Sequence, residues 1–144
     1  WFVEKASEFG IAQITPIICE RTEKKNIKTE RLNKIAVEAM KQSKHEFLTN
    51  INEPIKFDSF IERNDLGRDK YIAFCSDFDK KSIDDVDFSN SIILIGPEGD
   101  FTESEIELSR KFNYLPLDLG AYRLRTETAG VFISSSSYYK QCIR

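Results

Sequence analysis

The sequence predicts an α/β domain with a mainly parallel sheet and flanking helices. Short apolar runs alternate along the chain with segments of helical periodicity, a pattern typical of parallel sheets covered by helices. Two of these runs, at residues 92–95 and 115–119, stop at Gly96 and Gly120, and polar residues follow each glycine. Because the carboxyl ends of parallel strands meet at one edge of a sheet, we expect the two loops to build a single binding site there.

The first elements are predicted to be a helix and an irregular strand. Residues 2–9 place their apolar side chains on one helical face, and Gly10 follows where a glycine can end a helix. Residues 11–19 are a candidate strand, and Pro16 within it favours a sheet edge or an irregular end.

A charged loop and a long helix are expected next. Residues 20–28 are polar, which predicts a mobile loop. Residues 30–46 carry apolar positions at helical spacing, and Thr29 is the predicted N-cap. Few signals follow over residues 50–70, apart from a turn at 64–67 and a possible short helix at 59–63.

The second half of the chain is predicted in more detail. Residues 71–75 form a candidate buried strand, and residues 77–90, with five aspartates, form an acidic loop. Thr102 and Glu105 have the spacing of a capping box that begins a helix over residues 103–112. The last helix is predicted at residues 127–141, where four consecutive serines give a small-residue face suited to close packing, for example against a second subunit.

Composition and charge are those of a soluble globular domain. The 144 residues are 40% hydrophobic and 31% charged, with a net charge of −3. Residues 21–45 contain eight Lys and Arg against three acids, so that segment carries +5 and the remainder −8. A basic face suits a phosphate-bearing partner, although a solvated helix face explains the charges equally well.

Cysteine and histidine usage argues against disulfides and zinc. Three scattered cysteines without a CxxC pair indicate reduced thiols in a cytoplasmic protein, and Cys19 and Cys75, which lie in apolar runs, are expected to be buried. His45, the single histidine, is expected at the surface near a helix end, and no metal is predicted. No apolar run reaches membrane-spanning length, so no membrane association is expected.

The stretches IGPEGDFTESEI, from Ile95, and LGAYRLRTETAG, ending at Gly130, resemble the paired signature of the RsmE-type 16S ribosomal RNA uridine-N3 methyltransferases. These enzymes are a branch of the SPOUT superfamily. Weaker similarity reaches EKASEFGIAQITPI and the region of residues 41–43, so nearly the whole chain is covered. Two positions depart from the pattern: Asp100 stands where the family has a second glycine, and Tyr122 lies near a family arginine that Arg123 replaces one position later.

The resemblance implies an architecture that periodicity does not show. Pattern alone predicts an ordinary unknotted fold, whereas SPOUT domains have a deep C-terminal trefoil knot and are homodimers with the knot at the interface. Residues 1–144 are expected to form one SPOUT domain that is a fragment, with an upstream RNA-binding barrel domain and the first strand of the family absent.

The resemblance also implies S-adenosyl-L-methionine as cofactor, held in the two glycine-ended loops. Neither a P-loop nor a dinucleotide fingerprint is present to suggest another nucleotide. The implied cofactor-binding residues are Phe74, Ile95, Gly96, Pro97, Glu98, Gly99, Leu119, Gly120, Leu124, Arg125 and Thr126. The implied RNA-facing cluster is Gln42, Ser43 and Lys44.

The reaction implied is methyl transfer to N3 of a uridine in 16S ribosomal RNA, either as free RNA or within the assembled small subunit. Arg125 is the candidate for stabilising negative charge on the uracil oxygens, although it could instead pair with Glu98 or Glu127. Those two glutamates are candidate bases or structural residues. Two alternatives stay open: methylation of another RNA atom such as a ribose 2′-hydroxyl, and a cofactor-binding dimer that is inactive without its N-terminal domain.

Overall fold

The computed structural model describes residues 1–63, 67–75 and 79–143 of the 144-residue chain. The turn predicted at 64–67 and the first residues of the predicted acidic loop therefore fall partly outside the described residues. The described α-helices are α1 Phe2–Glu8, α2 Thr29–Ser43, α3 Phe57–Ile61, α4 Glu103–Lys111 and α5 Thr126–Tyr138. The described strands are β1 Gln13–Ile14, β2 Ile17–Ile18, β3 Asn50–Ile51, β4 Ile55–Lys56, β5 Asp69–Ala73, β6 Lys81–Ser82, β7 Ser91–Ile95 and β8 Leu115–Asp118.

A four-stranded parallel sheet with the order β6-β8-β5-β7 organises the domain. Ala73, near the end of the central strand β5, is level with Ile95 of β7 and with Leu117 of β8. This register brings the loops that follow the three strands to the same edge. The predicted α/β fold with a mainly parallel sheet and flanking helices is confirmed, whereas the knot stays a prediction.

The sheet is covered on both faces because side chains of β5 alternate in direction. Ile72 packs in a cluster that includes Phe57 and Phe60 of α3, while Tyr71 packs on the other side with Leu117 and Val86. A third cluster joins α1, α2 and β3.

The region predicted as one strand at residues 11–19 is two short strands separated by Thr15 and Pro16. Each pairs in parallel with a short strand of the poorly predicted region, β1 with β3 and β2 with β4. The carbonyl of Pro16 accepts a hydrogen bond from the Ile55 amide at 3.1 Å, so the proline continues the pairing through its acceptor alone.

The predicted end of the first helix is confirmed. Gly10 has a φ of +75°. Its amide donates to the Ser7 carbonyl, and the Ile11 amide donates to the Ala6 carbonyl, both at 3.0 Å. This pair of bonds is the Schellman arrangement, which the left-handed glycine makes possible.

The second helix differs from its prediction at both ends. Thr29 is wrong as the N-cap: it is the first helical residue, and its Oγ1 donates to Glu53 Oε2 at 3.0 Å, a contact that no local pattern reveals. The helix ends three residues early because Lys44 adopts a φ of +58°. His45 is half-buried rather than at the surface, with Nε2 located 2.8 Å from the Glu8 carbonyl oxygen.

The helices of the second half follow the sequence closely. The capping box is present: Thr102 Oγ1 accepts from the Glu105 amide at 3.3 Å, and Glu105 Oε2 accepts from the Thr102 amide at 2.9 Å. The last helix begins one residue early and passes at Tyr139–Ile143 into a π-helical turn. The expected acidic loop contains β6 and two 3₁₀ turns, and the short helix α3 begins two residues before its predicted position.

The small-residue face of α5 packs within the chain. A Cβ added to Gly130 would lie 2.5 Å from Cε2 of Phe2, so α1 and α5 can approach closely only at a glycine. Packing of this face against a second subunit stays a prediction.

The cysteines divide between core and surface. Cys19 is buried as expected, and its burial, helped by the nearby Glu105 carboxylate, raises the pKa of the thiol to about 12. The expectation for Cys75 is wrong, because β5 ends at Ala73 and leaves Cys75 exposed in the following loop.

Candidate active site

An open cleft of about 1460 Å³ lies at the carboxyl edge of the sheet, where β5, β7 and β8 end and α5 begins. Ten of the eleven cofactor-binding residues that sequence predicts line it. They are Phe74, Ile95, Gly96, Pro97, Glu98, Leu119, Gly120, Leu124, Arg125 and Thr126. The structure therefore brings together residues from three separate strand ends, as the shared edge of a parallel sheet requires.

The loop after β7, residues 96–100, is closed by a tight turn and a carboxylate. The Asp100 amide donates to the Pro97 carbonyl at 2.8 Å. Asp100 has a φ of +63°, a conformation in which glycine is favoured. Its Oδ1 accepts from the Phe101 amide at 2.8 Å, and its Oδ2 accepts from the Cys75 amide at 2.9 Å. Asp100 thus offsets its strained backbone with two hydrogen bonds, one of which ties this loop to the end of β5.

Gly96 lies at the point where the two predicted loops meet. A Cβ on Gly96 would lie 3.1 Å from Asp100 Oδ1 and 3.2 Å from the buried Phe101 ring. The Gly96 carbonyl accepts a hydrogen bond from Thr126 Oγ1 at 2.8 Å. The loop after β7 and the start of α5 are therefore fixed to each other.

Gly99 is the predicted cofactor residue that the structure does not bring to the cleft lining. Its carbonyl accepts a hydrogen bond from Arg21 Nη1 at 2.7 Å. A Cβ at this glycine would lie 3.1 Å from Arg21 Cδ. In this structure Gly99 makes room for a neighbouring arginine, a requirement that the local sequence does not distinguish from close approach of a ligand.

The loop after β8, residues 119–125, is far more open. Gly120 has a φ of +111°, and a Cβ there would meet nothing within 4 Å. The Gly120 amide donates to Asp118 Oδ1 at 3.1 Å. Tyr122 is 87% exposed, and Arg123 reaches back only to the Glu98 carbonyl, with Nη2 at 3.5 Å. The loop presents its backbone and side chains to the cleft.

The charged groups of the cleft include both catalytic candidates. Arg125, immediately before α5, is exposed, as is Glu98, while Glu127 is half-buried in the first turn of α5. Within the described part of the chain, Arg125 forms no ion pair with Glu98 or with Glu127. The guanidinium is therefore not neutralised by either of the carboxylates that sequence suggested as its partners.

Sequence reasoning missed several residues of the cleft, among them two charged ones. Asp79 and Lys80 line the cleft next to Phe74, and Lys80 Nζ lies 5.8 Å from the centroid of the Phe74 ring. Both lie in the predicted acidic loop at residues 77–90. Their position just beyond the end of β5 was the available signal, because every strand of a parallel sheet ends at the same edge.

The predicted RNA-facing cluster lies apart from the cleft lining, at the carboxyl end of α2. Gln42 and Lys44 are exposed, and Ser43 Oγ donates to the Ala39 carbonyl at 2.8 Å within the helix. Among the residues described, no group of three or more His, Cys, Asp or Glu side chains could hold a metal ion. None of the described helices is long and apolar enough to cross a bilayer.

Comparison with known proteins gives consistent matches. The family described as "RNA methyltransferase domain" matches residues 1–137. Ribosomal RNA small subunit methyltransferase E of Aquifex aeolicus is 32% identical over 139 residues, covering 92% of this chain and 59% of that protein. The chain spans about three fifths of the length of the curated relatives it matches.

Solved structures match over the same extent. A structure described as "probable rRNA-methyltransferase" from Porphyromonas gingivalis aligns with a TM-score of 0.90 and 35% identity, covering 100% of this chain and 63% of that one. Ribosomal RNA small subunit methyltransferase E from Neisseria gonorrhoeae, bound to S-adenosyl methionine, aligns with a TM-score of 0.84 and 25% identity, covering 94% and 57%.

Proposed function

The chain belongs to the family of RNA methyltransferase domains, in its RsmE-type branch, and from that premise we propose that it methylates N3 of a uridine in 16S ribosomal RNA. The proposed methyl donor is S-adenosyl-L-methionine. The observation that carries the proposal is the meeting of ten predicted cofactor residues, from three strand ends, in one cleft.

The chemistry of the cleft suits this cofactor. Apolar side chains, among them the buried Phe74 and Leu117, can cover an adenine ring, and the open backbone of the loop after β8 can hydrogen-bond its edge. Acidic side chains such as Glu98 and Asp79 can meet the cofactor's positive groups. When bound, S-adenosylmethionine would supply an electrophilic methyl group on its sulfonium.

The protein's task would be to position the uracil ring and to stabilise charge as N3 loses its proton. We assign charge stabilisation to Arg125, because its guanidinium is exposed in the cleft and is not paired with either nearby glutamate. A guanidinium can donate two parallel hydrogen bonds to a planar group that carries negative charge. Glu98, in the loop after β7, and Glu127, in the first turn of α5, are the candidate proton acceptors, and Glu98 is the more exposed.

The finer properties carried by the resemblance belong to this proposal as well. They are a homodimer with the trefoil knot at its interface, an upstream RNA-binding domain in the whole protein, a location in the cytoplasm, and contact of Gln42, Ser43 and Lys44 with RNA. The substrate would be free 16S ribosomal RNA or the assembled small subunit.

Calorimetric titration tests the cofactor assignment. S-adenosylmethionine and S-adenosylhomocysteine should bind the chain, and ATP, which shares the adenosine but lacks the amino acid, should not. Thr126→Val should lower the affinity for both adenosyl ligands. Thr128→Val, at an exposed position on the same helix, should leave both affinities unchanged. Failure of both adenosyl ligands to bind a folded chain would contradict the proposal.

Methyl transfer tests the reaction and the role of Arg125. Stripped small-subunit RNA and assembled subunits would be incubated with labelled S-adenosylmethionine, and the modified nucleoside identified by mass spectrometry as N3-methyluridine or another product. Arg125→Ala, measured at saturating S-adenosylmethionine, should lose about 100-fold or more of the transfer rate, the usual size of effect for a lost charge stabiliser. Arg68→Ala, at another exposed arginine, is the matched control. Transfer by Arg125→Ala at the wild-type rate would exclude the proposed role.

A further inference from the structure

We propose that residues 21–34, termed here the basic segment, form a surface that binds the phosphate backbone of single-stranded RNA next to the cleft. The inference rests on the proposed function, since it concerns the path that the RNA strand follows outside the cleft when its target base is bound inside. The cationic residues of the basic segment are Arg21, Lys24, Lys25, Lys28, Arg31 and Lys34.

The cations of the basic segment are exposed and not neutralised by described neighbours. All six are exposed, against two acidic residues in the same stretch, Glu23 and Glu30, so the segment carries +4. None of the six forms an ion pair with a carboxylate of the described chain. By contrast, Lys5 bonds to two glutamates on its own helix. Within an acidic protein, such a concentration of unpaired charge attracts polyanions.

The basic segment adjoins the cleft through a single loop. Arg21 Nη1 donates to the Gly99 carbonyl from outside, and Arg123 Nη2 reaches the Glu98 carbonyl from the cleft side. Two consecutive carbonyls of the loop after β7 are therefore contacted by one arginine of the basic segment and one arginine of the cleft lining. Arg21 thus joins the start of the basic segment to the loop that carries Pro97 and Glu98 of the cleft.

The root of the basic segment is held in place. The Glu20 amide donates to Oε1 of the buried Glu105 at 2.8 Å, while the other oxygen of that carboxylate completes the capping box of α4. Lys28, the N-cap of α2, is followed by Arg31 and Lys34 at spacings of three residues, which brings the three near one another at the start of α2. The basic segment is thus held by the hydrogen bonds of Glu20 and Arg21 at one end and by α2 at the other.

RNA fits this surface better than a compact anion does. Closely spaced exposed Lys and Arg side chains contact successive phosphates without reading sequence, and the cleft would read the base. A flexible strand that places one nucleotide in the cleft can pass its neighbouring phosphates over the loop after β7 and along the basic segment.

The test measures binding of a fluorescein-labelled 20-nucleotide oligouridylate to the chain by anisotropy, over a series of KCl concentrations. The variant Lys24→Ala/Lys25→Ala/Lys28→Ala should bind at least about 10-fold more weakly at low salt. Its slope of log K against log[KCl] should be shallower by about 2, because each phosphate contact of a single strand contributes about −0.7 to that slope. Lys24→Arg/Lys25→Arg/Lys28→Arg should retain wild-type affinity.

The matched control removes the same charge from exposed positions outside the basic segment, by Lys56→Ala/Arg68→Ala/Lys111→Ala, and should change affinity by less than twofold. Equal losses in the two alanine variants, no loss in the first, no measurable binding by the wild type, or equal competition by polyglutamate would each overturn the proposal. Calorimetry with S-adenosylhomocysteine separates the two hypotheses. Unchanged cofactor affinity with unchanged RNA affinity would contradict the surface alone, and absent cofactor binding with the expected RNA loss would contradict the proposed enzyme alone.

Discussion

The two glycine-ended loops of the cleft are built in opposite ways. The loop after β7 is contacted from several directions: Arg21, Thr126 and Arg123 each approach one of its carbonyls, and Asp100 bonds it to the end of β5. The loop after β8 has open space around Gly120 and leaves most of its side chains exposed.

Similar sequence signals therefore serve different physical needs. At Gly96 the glycine is favoured by space, since a Cβ would lie only 3.1–3.2 Å from atoms of Asp100 and Phe101. At Gly120 it is required by backbone conformation, since space is available and the φ is +111°. The loop after β7 is held by hydrogen bonds within the chain. The loop after β8 leaves its backbone and side chains free to contact a ligand.

The largest expected effect on stability comes from a side chain added at Gly96. Gly96→Val should destabilise the chain by about 3 kcal/mol, the upper part of the usual range for overpacking, because the added atoms would crowd the buried Phe101 ring. Gly96→Ala should cost less than Gly96→Val. Urea unfolding measures the stability of both variants. Equal stability of Gly96→Val and wild type would show that the loop after β7 and Phe101 can accommodate the larger side chain.

Substitutions of Asp100 test the hydrogen bond between the loop after β7 and the end of β5. Asp100→Ala loses both hydrogen bonds and keeps an unfavourable φ, so we expect a loss of about 2 kcal/mol. Asp100→Gly loses the same bonds but relieves the backbone, and should be about 1 kcal/mol more stable than Asp100→Ala. The reverse order in denaturant midpoints would mean that backbone strain at this position is negligible.

Gly120 tests the open loop. Gly120→Ala should cost about 1 kcal/mol through its backbone conformation. Gly120→Ser should cost nearly the same, because no atom lies within 4 Å of the added Cβ and a hydroxyl group therefore has space beyond it. A stability that falls steeply from Ala to Ser in thermal unfolding would show that space, as at Gly96, is limiting here too.

The smallest expected effect is at the hydrogen bond between the start of α5 and the loop after β7. Thr126→Val keeps the shape of the side chain and removes the bond to the Gly96 carbonyl, which should cost about 0.5–1 kcal/mol of stability. Thr128→Val, on the exposed face of the same helix, should change stability by less. Indistinguishable unfolding curves for the two variants would mean that the bond contributes nothing measurable.

Sequence predicts this fold and cleft well where the signal is an apolar run that stops at a glycine or a local capping motif. The strands at residues 91–95 and 115–118 are of the first kind, and the capping box at Thr102 is of the second. Strands of two residues, such as β1 and β3, are too short to show any periodicity. The helix α2 ends early because Lys44 adopts a left-handed backbone conformation. Sequence patterns predict that conformation first for glycine, so this end is not expected at a lysine.

The remaining differences come from contacts between distant parts of the chain. The Thr29 hydroxyl donates a hydrogen bond to Glu53 instead of capping its helix. The Gly99 carbonyl accepts a hydrogen bond from Arg21, and Gly99 does not line the cleft. Both residues have the type that their predicted role requires. What decided between roles was a partner that the neighbouring residues do not identify.

The hydrogen bond from the Glu20 amide to Glu105 spans 85 residues, and the bond from Arg21 to Gly99 spans 78. Contacts of such separation form late, because a long loop must close before they contribute. During synthesis the amino-terminal half leaves the ribosome before its partners exist. The basic segment would then be held beside the cleft only after residue 105 has been added, so the assembly of this edge is a late step in the maturation of the chain.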